Sequence, residues 1–161
     1  MTLWPDGNNP GEYQGMFSYR LETAGYAGLN FNVGTLNWQS ADAYKFWIEP
    51  DSSGQVLVIQ ICAGDVYWET YRILGNRAQA IPVSTLNPRA SADQIIAQLT
   101  HPQWLEIPFN EFLIAPWQNV DRAVMDKSNV SMVSFYVNAL NNATVDHGQI
   151  VLDDIQVVNR P

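Results

Sequence analysis

The chain has 161 residues, 47% of them hydrophobic and only 15% charged, so its length suits one domain and its composition is too apolar for disorder. Eight basic residues face sixteen acidic ones, a net charge of −8. That balance repels phosphate backbones and anionic lipid surfaces, which sets nucleic acid and membranes aside as partners.

In chain order, the opening Met1-Thr2-Leu3-Trp4-Pro5-Asp6 lacks the basic start and apolar run of a signal peptide. The expectation is either a cytoplasmic chain or one whose leader lies outside this sequence. From there the dominant period is two, the signature of strands with one buried face. Phe17, Tyr19 and Leu21 alternate with Met16, Ser18 and Arg20, and Leu29, Phe31 and Val33 with Asn30 and Asn32. Tyr44, Phe46 and Ile48 alternate with Lys45, Trp47 and Glu49. Leu57, Ile59 and Ile61 alternate with Val58, Gln60 and Cys62. Further on, Val133, Phe135 and Val137 alternate with Ser134, Tyr136 and Asn138, and residues 150–158 give a last strand. Turn residues separate these runs at Pro50-Asp51-Ser52-Ser53-Gly54, at Ala63-Gly64-Asp65, and from Asn141-Asn142 through His147-Gly148. Many short strands so punctuated predict an all-β chain, a β-sandwich or jelly roll of antiparallel sheets. One stretch breaks the pattern. Residues 74–103 carry Pro82, Pro88 and Pro102 and are read as a long excursion holding one short helix, N-capped by Ser91, with Ile95, Ile96 and Leu99 as its apolar stripe.

Residues able to do covalent chemistry are sparse. His101 and His147 sit in no metal-ligand spacing, and neither a phosphate-binding glycine loop nor a GxSxG elbow is present. Cys62, the single cysteine, excludes an internal disulfide and reads as a buried filler within an apolar strand. A glycosidase needs two carboxylates across a cleft. Glu49, Glu69, Glu106, Glu111 and the pair Asp153-Asp154 are available, but no spacing pairs any two of them. Asp153-Asp154 lies inside an apolar run, where each carboxylate needs hydrogen bonds or a cation. Oxygen ligands without histidine or cysteine would favour calcium.

The aromatic residues are more informative. Six Trp, seven Tyr and six Phe exceed what a core of this size needs. Trp47 falls on the polar face of its strand, so it calls for a covering loop or a ligand. Asp65-Val66-Tyr67-Trp68-Glu69-Thr70-Tyr71-Arg72 interleaves rings with charges, and whichever face is buried, the other keeps an aromatic beside hydrogen-bonding groups. Tyr136 shares a face with Ser134 and Asn138, and Trp117 follows Pro116 in a loop. Flat rings among amides, hydroxyls and carboxylates suit a sugar, which offers an apolar C–H face fringed by hydroxyls.

These residues fall into an ordered set. Gly15-Met16-Phe17-Ser18-Tyr19, Gly25-Tyr26-Ala27-Gly28-Leu29, Tyr44 through Asp51, Gly64-Asp65 through Tyr67-Trp68, Trp104 through Phe112, and Val151-Leu152-Asp153-Asp154-Ile155 follow one another along most of the chain. The set resembles carbohydrate-binding modules of family 11 and the related family 30. The resemblance implies a calcium-containing jelly roll that grips a β-glucan chain without catalysis. It also implies a secreted, monomeric module appended to a glycanase. Carried over by position, the ligand-binding candidates are Tyr26, Asp65, Tyr67, Trp68, Trp117 and Tyr136, joined by Gln60 and Trp47 from the strand reading. Asp153 matches the aspartate of the family's terminal V-D-N-I, near its calcium. The chain departs from the family in two places. Only fourteen residues precede Gly15, where the family places an L-D-D-F-E strand, and the 74–103 excursion is longer than usual.

Overall fold

A computed structural model describes residues 2–5, 13–22, 25–121, 124–140, 143 and 145–159, with side chains from Gly15 onward. Eleven strands are described: β1 (Thr2–Pro5), β2 (Tyr13–Arg20), β3 (Tyr26–Leu36), β4 (Ala43–Glu49), β5 (Val56–Ala63), β6 (Val66–Leu74), β7 (Ala97–Leu99), β8 (Gln103–Pro108), β9 (Leu113–Ile114), β10 (Val130–Asn138) and β11 (His147–Val158). They form two sheets of a β-sandwich jelly roll. One sheet runs β1-β2-β11-β4-β8 and the other β3-β10-β5-β6, with β7 and β9 sharing the free edge of β6. Pairing is antiparallel except for β7, which lies parallel to Arg72–Leu74.

The two-residue alternation closes the sandwich, because each strand has one apolar set to hide. Phe17, Tyr19, Tyr44, Phe46, Ile48, Ile150 and Leu152 from the first sheet meet Leu57, Ile59, Ile61, Trp68, Val133, Phe135 and Val137 from the second. Burying a side chain of this size contributes about 1.5–3 kcal/mol. Rings knit the centre, with Trp38 stacked on Tyr44 at 5.9 Å and Phe46 edge-on to Phe135 at 5.1 Å. The turn between β5 and β6 is a two-residue hairpin in which Gly64 and Asp65 both take positive φ, 58° and 62°. Gly, Asn and Asp tolerate that geometry best.

The excursion differs from its expected form. No helix forms at Ser91. Residues 81–99 instead make a single 3-10 turn at Val83–Thr85, a bridge between Pro82 and Ile95, and strand β7. So short an apolar stripe gives an isolated helix little support, whereas the open edge of β6 satisfies the backbone directly. Val83 and Ile96 pack over Val56, Val58, Tyr71 and Ile73 on the outer face of the second sheet. That cover buries the outward Val56 and Val58 of β5.

The acidic pair in β11 also has a local explanation. A bulge interrupts its pairing with β4 between Asp153 and Gln156, and Asp154 sits there at φ 48°. The Asp154 N–H donates to Asp153 Oδ1 at 2.8 Å, so the bulge occupies one oxygen of the half-buried Asp153 carboxylate. Among the described residues no group of three or more His, Cys, Asp or Glu side chains is placed to share a metal ion.

Candidate functional site

The outer face of the second sheet presents β3, β10, β5 and β6 side by side, and strand register sets its side chains in rows. Asn30 on β3 pairs Ser134 on β10, which pairs Gln60 on β5, which pairs Glu69 on β6. The row to one side runs Gly28, Tyr136, Val58 and Tyr71; the row to the other runs Asn32, Met132, Cys62 and Tyr67. Across these rows lies an open groove of about 570 Å³, lined among others by Tyr26, Gln60, Tyr67, Glu69, Trp117 and Tyr136. Three strand spacings make it about 14 Å from β3 to β6. The excursion borders it through Leu86, and the loop after β9 extends it past β6 through Pro116 and Trp117.

Two rings stand out into solvent at opposite sides, Tyr26 on β3 at 77% exposure and Trp117 at 62%. Each is braced by a second ring. Tyr26 meets Tyr136 edge-on at 6.1 Å, and Trp117 lies 5.1 Å from Tyr67. The Trp117 loop is pinned at three points. Ala115 N–H donates to Tyr67 O at 2.8 Å, Tyr67 N–H to Gln118 Oε1 at 2.7 Å, and Arg89 Nη2 to Gln118 O at 2.7 Å. The ring is thus held ready rather than ordered at the moment of contact, which lowers the entropy cost of binding. On the other side Gly28 has no room for a side chain, since a Cβ would lie 2.4 Å from Tyr136 Cβ.

Between the rings the floor is a closed polar network around Glu69, only 3% exposed. Gln60 Nε2 donates to Glu69 Oε1 at 2.7 Å and to Tyr136 OH at 3.1 Å. Tyr136 OH donates in turn to Glu69 Oε1, and Tyr71 OH donates to Glu69 Oε2 at 2.7 Å. Asn87, from the excursion, donates to Tyr71 OH at 3.2 Å and to Ile114 O at 2.9 Å. Burial foremost, and then the Glu69 carboxylate, push the Tyr71 and Tyr136 phenols far above their ordinary range, so both stay protonated donors. Burial also raises Tyr67, helped by the Cys62 thiol beside it.

The structure brings Tyr26, Gln60, Tyr67, Trp117 and Tyr136 together in the groove and separates the other sequence candidates from it. Trp68 is a correction: it faces the core at 5% exposure, because β6 turns Val66, Trp68 and Leu74 inward and Tyr67, Glu69 and Tyr71 outward. Asp65 is exposed in the β5–β6 hairpin and does not line the groove; its residue type suits the positive φ of that turn. Trp47 belongs to the other sheet, where it pairs Trp104 across β4 and β8 at 5.9 Å between ring centroids. Sequence reading places Glu69 among the scattered carboxylates and, with Tyr71, in the interleaved 65–72 stretch, and puts Asn30 and Asn138 on polar strand faces, but singles out none of these as a site residue and does not mark Asn87 at all. Alternation along β6 carries the signal for Tyr71, but nothing local marks Asn87, which reaches the site only because the excursion folds back.

No protein-family model matches the chain, and no curated protein matches it. Solved structures do. The chain is similar to the family 11 carbohydrate-binding module of the cellulosomal cellulase Lic26A-Cel5E of Clostridium thermocellum, at 16% identity and a TM-score of 0.63, over 99% of this chain and 81% of that one. It is also similar to the Clostridium thermocellum family 11 module in complex with a β-1,3-1,4-mixed-linked tetrasaccharide, at 17% identity and a TM-score of 0.55, over 91% of this chain and 76% of that one. A third match is CBM28, a carbohydrate-binding module specific for non-crystalline cellulose, at 12% identity and a TM-score of 0.51, over 98% of this chain and 79% of that one. These three carbohydrate-binding modules share the fold of this chain.

Proposed function

We propose that this chain is a non-catalytic carbohydrate-binding module that holds a β-glucan chain in the groove. The observation that carries this reading is the pair of exposed, braced rings, Tyr26 and Trp117, on either side of a hydrogen-bonding floor. Sugar faces would stack on the rings while Gln60, Asn30 and Asn138 meet hydroxyls. A β-1,3-1,4-linked tetrasaccharide in a neighbour of this fold supports β-glucan as the first glycan to try. Catalysis is disfavoured by the donor set: Glu69 is the sole Asp or Glu lining the groove among the described residues, and glycosidases work with two. The module would act in the extracellular space, tethered to a glycanase, and raise that enzyme's effective concentration at polysaccharide.

Affinity electrophoresis against barley β-glucan, xyloglucan, mannan and xylan tests the reading. Retardation on β-glucan is expected. Migration unchanged in all four gels rejects glycan binding, and release of reducing sugar from any of them rejects the non-catalytic assignment.

A further inference from the structure

Hydrogen-bond directions in the floor of the groove decide which ligand groups it can meet. Asn87 cannot be flipped: its Oδ1 accepts from Arg89 N–H at 3.1 Å while its Nδ2 donates to Ile114 O. Nδ2 therefore also donates to Tyr71 OH, and Tyr71 must spend its own proton on Glu69 Oε2. On the other side Gln60 Nε2 gives one proton to Glu69 and one to Tyr136 OH, so Tyr136 too must donate to Glu69. Both carboxyl oxygens thus accept, and every floor donor of Gln60, Tyr71 and Tyr136 is consumed. What remains on these residues for a ligand is acceptor capacity: Gln60 Oε1 and lone pairs of the carboxylate and phenols. No lysine or arginine lines the groove among the described residues. Arg72 is paired with Glu111 at 3.0 Å on the opposite side of β6, and Arg89 is engaged with Gln118 O.

We infer that the groove selects neutral glycans, whose hydroxyls donate to this acceptor floor, and refuses anionic ones, with Glu69 as the specificity-determining residue. Uronate or sulfate groups bring more acceptors and a negative charge close to the buried Glu69 carboxylate, and among the described residues no lysine or arginine lines the groove to receive them. The inference rests on the glycan-binding reading of the same groove.

The test compares hydroxyethylcellulose with carboxymethylcellulose, a neutral and an anionic derivative of one β-glucan backbone, in affinity gels at low salt and in 1 M NaCl. High salt shortens screening to about 3 Å and so removes the general repulsion of a −8 chain. Preference for the neutral polymer of at least tenfold is expected to persist in 1 M NaCl. It should fall to threefold or less in Glu69→Gln, and it should survive in Trp47→Ala, which lies on the other sheet and leaves the groove and its carboxylate in place. If Glu69→Gln fails to fold, Asn30→Lys decides, since it sets a cation in the same row as Glu69: the preference should fall to threefold or less, and an unchanged preference overturns the inference. Equal binding of the two polymers by the wild type, or a preference that vanishes in 1 M NaCl, overturns the inference while leaving glycan binding intact. Failure to bind either polymer or barley β-glucan overturns the underlying reading instead.

Discussion

Trp117→Ala separates binding from folding more cleanly than any other single change. A tryptophan ring covers roughly 200 Å² when fully buried. With 62% of Trp117 in solvent, about 120 Å² is on offer, and a stacking sugar covers one face, about 60 Å². At about 25 cal/mol per Å² this is worth ~1.5 kcal/mol, or roughly a tenfold weaker Kd in the alanine variant. The folded chain loses little, because the ring's main contact is Tyr67 and the loop is held by backbone and Gln118 hydrogen bonds that alanine leaves in place. Isothermal titration with mixed-linkage β-glucan oligosaccharides gives the first quantity and a thermal melt the second. A Kd within twofold of wild type would show that the ring does not stack on the ligand. A melting temperature lowered by more than about 5 °C would show that it supports the fold instead.

Four further outcomes follow from the same structure. Trp68→Ala should cost about 3–5 kcal/mol in chemical denaturation, as the cavity left in the core dictates, and any binding loss should track the unfolded fraction. Gly28→Ala should destabilise by about 1–3 kcal/mol and weaken glycan binding, since the added Cβ forces Tyr136 and strand β10 away; unchanged binding would show that the floor yields without consequence. Trp47→Ala should leave the β-glucan Kd within twofold while costing about 1 kcal/mol of stability through the lost Trp104 contact, measured by the same two assays. The fourth concerns pH. Tyr19, Tyr44, Tyr71 and Tyr136 are all raised above the ordinary phenol value of 10.0, mainly by burial. Their contribution is whole below pH 10 and is lost as pH climbs past it, because the unfolded chain then releases protons that the folded chain retains. Denaturant midpoints should therefore fall between pH 9 and pH 11. Tyr44→Phe, which removes a buried hydroxyl with no partner among the described residues, should raise stability by about 1 kcal/mol at pH 7 and shrink the alkaline loss.

The neighbour bound to a tetrasaccharide and this chain share a sheet scaffold at 17% identity, so the comparison bears on architecture and says little about individual contacts. The contacts here come from the chain's own register. Tyr26, Tyr136 and Gln60 meet diagonally across the hydrogen-bonded neighbours β3, β10 and β5: Tyr26 lies opposite Asn138, Tyr136 opposite Gly28 and Val58, and Gln60 opposite Ser134, each one row from the next.

Composition and the two-residue period were enough to establish an all-β sandwich, the inward sets Phe17/Tyr19, Tyr44/Phe46/Ile48 and Leu57/Ile59/Ile61, and a surplus of rings beyond the core. Such features are legible because alternation is a property of adjacent residues along one strand. For β6 the pattern was ambiguous: Tyr67, Trp68 and Tyr71 straddle both faces, and only packing against Ile61 and Val66's neighbours in the core chose Trp68 for the inside. Pairing order was likewise invisible, so Trp47 could not be told from a groove residue until β4 was found in the opposite sheet. The excursion had no helix to make because the open edge of β6, absent from any local window, offered its backbone better partners. Glu69's role depended on Asn87, Tyr71, Gln60 and Tyr136 converging from four separate segments. The bonds made by Gln60, Tyr136 and Asn87 are set by distance in space, which spacing along the chain does not encode; only Tyr71, two residues from Glu69 on the same strand, is within reach of local pattern.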